Sequence, residues 1–269
     1  MELSLPEFPA EPGAQAAFVA VCLLLCMGMV LLAFPVSAGR FLGLESRDSR
    51  PGAIGELRAA GGLLAGLAFA ALMFEQPVLY TVLAVALGVS TFGRIVSLMS
   101  DSAATWLNFL LLTVQVVLTG ATLYYFFDVV TPEMQLVMPE PLDARLVFFT
   151  YAAIAVFGAL IMFGPRLSMA ICGLGVTGEK ASAISTIRSA GGFALGLGLI
   201  GLLLMGNADN APMDMLMGNL GVAAALGLAM IGRLIALALN RGNSIFAAVA
   251  LVIEGAAAAV VISSVSSMM

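Results

Sequence analysis

Four arginines and two glutamates lie in or at the edge of stretches that are otherwise apolar, and any chemistry must start from them. Arg188, Arg233 and Glu254 belong to the second half of the chain, and Glu56, Arg58, Arg94 and Gln115 hold the comparable places in the first. A guanidinium and a carboxylate under an apolar cover can orient the polar head of a lipid, a quinone or an isoprenoid, or pass a proton through the carboxyl group. The same pair can instead serve only to fix how helices dock. Both readings stay open at this level. We expect Arg188, Arg233 and Glu254 to meet as one cluster within the second half, while Glu56 could supply the carboxylate that Gln115 lacks in the first.

Other chemistries lack their residues. The chain has no histidine, which removes the commonest general base and the usual haem and zinc ligand. Cys22, Cys26 and Cys172 lie in or beside apolar runs, and Cys22-x-x-x-Cys26 is not the redox spacing, so they read as small packing residues. No phosphate-cradling loop, nucleophile elbow, metal-ligand pair or dinucleotide fingerprint occurs. We therefore expect no cofactor, no metal and no catalysis. Eleven basic residues stand against sixteen acidic ones, and most arginines are single, so nucleic acid is not an expected partner.

The elements that must position these side chains are membrane spans. With 61% hydrophobic and 10% charged residues and a mean hydropathy of +1.09, the chain is too apolar for a soluble domain of its length. Apolar runs long enough to cross a bilayer fall at about 16–35, 57–74, 78–99, 104–127, 146–164, 184–205, 216–239 and 244–264. Residues 1–15 read as an exposed tail, 16–127 as a first four-helix membrane unit, 128–145 as a proline-containing extracytoplasmic linker and 146–269 as a second unit. Trp106, Tyr124 and Tyr125 sit near predicted interfaces and read as aromatic anchors.

The two units share a register. Gly55-Glu56-Leu57-Arg58-Ala59-Ala60-Gly61-Gly62 recurs without a gap as Ser185-Thr186-Ile187-Arg188-Ser189-Ala190-Gly191-Gly192. Gly28 pairs with Gly158, Pro35 with Pro165, Gly43 with Gly173, and, after an insertion near 207–215, Arg94 with Arg233 and Gln115 with Glu254. Arg58, Gly62 and Gly66 lie on one helix face, as do Arg188, Gly192 and Gly196, so each glycine face packs on another helix and carries its arginine inward or leaves it to snorkel. Arg94 and Arg233 lie about 8 Å inside their spans, where a charge usually faces protein or a water-filled cavity. Asn108, Gln115, Thr119 and Thr122 make one polar side of the fourth span.

Arg40, Arg47, Arg50, Arg166, Lys180 and Arg241 follow odd-numbered spans, which places those connections in the cytoplasm and both termini outside it. Each unit has an even number of spans, so the repeats run parallel, about an axis along the membrane normal.

Glu-Leu-Arg-Ala-Ala-Gly-Gly, then Phe-Gly-Arg-Ile-Val-Ser-Leu one span later and an acidic or amide residue in the final helix, resembles a bacterial family of unknown function among the DoxX-like four-helix membrane proteins. The resemblance covers both units. It implies two four-helix bundles in tandem, with Arg58, Arg94 and Gln115 matching the pattern in the first and Arg188, Arg233 and Glu254 in the second. Wider relatives range from quinone-linked oxidoreductase subunits to sterol-binding and cargo-handling proteins. The leading expectation is a multi-pass bacterial inner-membrane protein that binds a lipid, a quinone-like or other small hydrophobic molecule inside a helical bundle. The alternatives are a non-catalytic subunit of a larger membrane complex or homo-oligomer, and a proton-coupled carrier using Glu254.

Overall fold

The computed structural model describes residues 6–47, 52–130, 136–176, 180–206, 212–239 and 245–268. Their elements are α1 (Pro12–Ala33), α2 (Pro35–Phe41), β1 (Leu44–Ser46), α3 (Gly52–Phe74), α4 (Pro77–Ser100) and α5 (Trp106–Thr122), the last continued by a 3-10 turn and α6 (Phe126–Val129). The second half follows as α7 (Leu142–Phe163), α8 (Pro165–Cys172), β2 (Leu174–Val176), α9 (Lys180–Gly206), α10 (Pro212–Ala238) and α11 (Ile245–Met268). Among the described residues eight helices, counting α5 to α6 as one, are long and apolar enough to cross a membrane. The protein is all-α and multi-pass.

Span ends differ from those read off hydropathy because a helix runs on past its apolar part. α1 starts at Pro12, where the missing N–H costs nothing. The insertion near 207–215 and the linker near 128–145 lie partly outside the described residues.

The connections after α1 and α7 contain structure that hydropathy does not show. Pro35 and Pro165 interrupt the helical ladder, and short α2 and α8 follow. These end at Gly43 and Gly173, whose φ values of 79° and 70° suit glycine. β1 then pairs antiparallel with β2, Glu45 opposite Gly175, which puts these two connections at the same end of the molecule. At the other end, Glu7 N–H donates to Glu75 Oε1 at 2.9 Å and Tyr124 Oη donates to Glu11 Oε2 at 2.7 Å. The described part of the N-terminal tail is thus exposed but tied to the α3–α4 turn and the end of the fourth span.

α3, α4, α9 and α10 have half or more of their apolar windows buried, whereas α1, α5, α7 and α11 have under a third. The first four form an inner set and the others surround it. Within each half, α1 packs on α3, α4 on α5 and α1 on α5, with α7 on α9, α10 on α11 and α7 on α11 as the counterparts. α3 and α4 touch each other little; their broadest contacts are with α10 and α9 of the other half. The larger of two apolar core clusters, including Leu67, Leu79, Leu83, Leu197 and Ile200, therefore draws on both halves.

The glycine faces explain this cross-pairing. Gly62 and Gly66 lie against the backbone of Leu228, Ala229, Ala224 and Ala225, and Gly192 and Gly196 lie against that of Val89, Ser90, Val85 and Ala86. A Cβ at Gly66 would stand 2.5 Å from Ala224 O, and one at Gly192 would stand 2.5 Å from Val89 O. In lipid, where apolar side chains gain little by leaving their neighbours, such close backbone approach is a main source of helix association.

Candidate functional site

The cross-pairing of α3 with α10 and of α4 with α9 brings the polar side chains into three centres. In the first, Arg233 of α10 is held between two carboxylates. Its Nε and Nη2 donate to Glu254 Oε2 and Oε1 of α11 at 2.8 and 3.0 Å. Its Nη2 and Nη1 also donate to Glu56 Oε2 and Oε1 of α3, the former at 2.9 Å. Both carboxylates engage the guanidinium in forked pairs, the strongest geometry such ions have. All three side chains are mostly buried. The expected Arg233–Glu254 contact is present, and Glu56 crosses from the other half to join it rather than serving Gln115. Arg233 therefore keeps a carboxylate when either glutamate is lost.

Arg188 is not part of that centre. Its Nε and Nη2 donate to Asp101 Oδ2 and Oδ1 at 2.6 and 3.3 Å, and its Nη1 donates to Met162 O at 2.8 Å. The expected Arg188–Arg233–Glu254 cluster is thus corrected, because α9 lies against α4 while α10 lies against α3. Asp101, just past the end of α4, also accepts from Ser97 and Ser100. Burial pushes its carboxyl up, but hydrogen bonds from Arg188, Ser97 and Ser100 and the charge of Arg188 outweigh this and hold it below its usual value. In the sequence Asp101 stands between two serines, in the short polar break between the third and fourth apolar runs. Its signal was the acidic side chain at the end of the molecule where the basic residues collect.

Arg58 repeats half of this arrangement, its Nη1 donating to Leu32 O at 2.5 Å. Leu32 and Met162 lie in the last turns of α1 and α7, whose carbonyls lack helical partners and carry the negative end of the helix dipole. Both arginines therefore turn inward to serve a helix terminus; Arg58 is only 9% exposed.

The third centre is neutral around its cation. Arg94 of α4 donates from Nε to Gln115 Oε1 at 2.6 Å and from Nη1 to Asn108 Oδ1 at 3.2 Å, both on α5. Gln115 Nε2 donates to Ser90 Oγ and Ser189 Oγ at 2.9 and 2.8 Å, and Ser90 Oγ donates to Ser189 O at 2.7 Å. Thr91 and Thr119 meet at 3.4 Å beside them. Arg94 is 4% exposed, yet no carboxylate among the described residues pairs with it. In register, Thr186 stands where the other half has Glu56, and its hydroxyl donates to Ser182 O. On the same side of α9, the buried hydroxyls of Ser182 and Ser185 have no hydrogen-bond partner.

Among the described residues no three His, Cys, Asp or Glu side chains converge as metal ligands do, and the three cysteines are free thiols. No family model matches the chain, and no curated protein or solved structure is significantly similar to it.

Proposed function

We propose that this chain is a tandemly duplicated, DoxX-like bacterial inner-membrane protein with both termini outside the cytoplasm. It binds a lipid, quinone-like or other small hydrophobic molecule by its polar head, and does so without catalysis. The head is received at Arg94 and its amide and hydroxyl neighbours. One observation carries this reading: a buried guanidinium whose register partner holds two carboxylates itself pairs only with neutral groups among the described residues. An uncompensated charge inside a membrane bundle costs several kcal/mol, and amide dipoles offset only part of that. A carboxylate, a phosphate or a quinone carbonyl would complete the set. The replacement of Glu by Thr186 and Gln115 in register removes the carboxylates that close the other centre, and Arg233 has no such vacancy to fill.

Native mass spectrometry with lipid analysis of the gently purified protein tests this. Wild type and Glu254→Gln should retain a discrete amphiphile that Arg94→Gln loses while remaining folded. Equal retention in all three forms, or loss in Glu254→Gln alone, would overturn the assignment to Arg94. A stoichiometric protein in place of a small molecule would point to the complex-subunit reading.

The Glu56–Arg233–Glu254 centre favours a second reading, a proton-coupled carrier. Two carboxylates on one guanidinium leave a net negative charge in a poorly solvated place, which one proton would cancel. Proton movement into liposomes that persists unchanged in Glu254→Gln would remove this reading.

A further inference from the structure

We propose a phosphate-binding site, filled by the headgroup of an anionic phospholipid, where the start of α5, the start of α9 and the end of α2 meet. A cavity of about 490 Å³ opens there, lined by Arg40, Phe41, Thr105, Trp106, Leu107 and Ser182 among others. The site is separate from the Arg94 centre and stands on its own observations.

Groups of three kinds that favour an anion are found along its lining. Arg40, in the last turn of α2, is exposed and makes no ion pair among the described residues, so its guanidinium is available. α5 and α9 both begin at the cavity, and the first N–H groups of a helix, with the positive end of its dipole, attract anions. Ser182, in the first turn of α9, lines the cavity, is 4% exposed, and has a hydroxyl with no partner. Leaving a buried hydroxyl unsatisfied is unfavourable unless something enters to accept from it. Thr105 caps α5 by accepting from Asn108 N–H at 3.3 Å, and its hydroxyl proton remains free to donate. Positive charge, helix N-termini and hydroxyl donors are the recognition set for a phosphate oxyanion.

The walls point to a lipid as the source of that phosphate. Phe41 and Trp106, 62% and 82% exposed, flank the cavity at the ends of membrane spans. An aromatic ring at this level lies beside acyl chains whose headgroup reaches the cavity. The connection bearing Arg40 is on the side rich in basic residues, where anionic headgroups add their attraction.

Trp106 is the only tryptophan of the chain, so its fluorescence reports on this cavity alone. In detergent, we expect phosphatidylglycerol with brominated chains to quench it saturably, and brominated diacylglycerol, which lacks the phosphate, to quench it weakly. Arg40→Ala should weaken the phosphatidylglycerol effect by about tenfold or more, the usual weight of a charge-assisted contact. Ser182→Ala should weaken it less but should leave or raise the melting temperature of the lipid-free protein, because it deletes an unsatisfied hydroxyl. Inorganic phosphate at millimolar concentration separates the sources: failure to compete identifies the headgroup, and competition identifies a site for free phosphate as well. Equal quenching by the two brominated lipids, unaltered by both substitutions, would overturn the proposal.

Discussion

The two carboxylates on Arg233 make a specific energetic prediction. Glu56→Gln or Glu254→Gln alone leaves the guanidinium in a forked pair with the remaining carboxylate, and it removes one costly buried charge. Each single change should therefore move stability by no more than about 1 kcal/mol, in either direction. The double change leaves a buried guanidinium facing two amides, and a buried charge stripped of its partner costs about 3–5 kcal/mol. At about 2–4 °C per kcal/mol for a chain of this size, that is a fall in Tm of about 6–20 °C, against less than about 4 °C for either single variant. Adding Arg233→Met to the double variant should recover most of the loss, since an apolar side chain of similar volume has no charge to leave unpaired. The assay is thermal unfolding in one detergent at neutral pH, read by light scattering and by retention of a monodisperse peak. If either single variant falls as far as the double, the shared-carboxylate geometry is wrong.

Further expectations follow from the same contacts. Gly66→Leu and Gly192→Leu should abolish a monodisperse folded species on fluorescence-detected size exclusion, while Ala at either site should survive at reduced Tm, because a Cβ meets backbone that a whole helix must move to relieve. Gly120→Leu, at a position where an added Cβ would meet no other helix within 4 Å, should have little effect in the same assay. The Asp101 carboxyl is held below its usual value, so its contribution to stability is complete above the unfolded pKa of about 4 and is lost as the pH falls through the folded value. The Tm difference between wild type and Asp101→Asn should accordingly be constant from about pH 7 to 5 and shrink below about pH 4; a gap that persists at pH 3 would show that the pairing with Arg188 is not what the substitution removes. Arg188→Met should lower Tm more than Arg166→Met at neutral pH, since Arg188 serves both Asp101 and the end of α7.

Class and much of the plan can be read from the order of residues alone. Apolar runs of membrane-spanning length, broken by polar turns, show as eight long helices because length and hydropathy alone decide whether a segment can satisfy its backbone in lipid. The spacing of Gly62 with Gly66 and of Gly192 with Gly196 marked faces of close backbone approach, and the Arg233–Glu254 pair was legible because a charge inside a span needs a partner. Which helices those faces meet is a matter of long-range packing. Spacing within a helix carries no record of its partner, so nothing local shows that α3 joins α10 or α4 joins α9. That choice separates Arg188 from Arg233, sends it to Asp101, brings Glu56 across to make a second carboxylate on Arg233, and leaves Arg94 among amides and hydroxyls. The distribution of charge inside this protein is thus set by long-range packing, although each charge was visible in the chain.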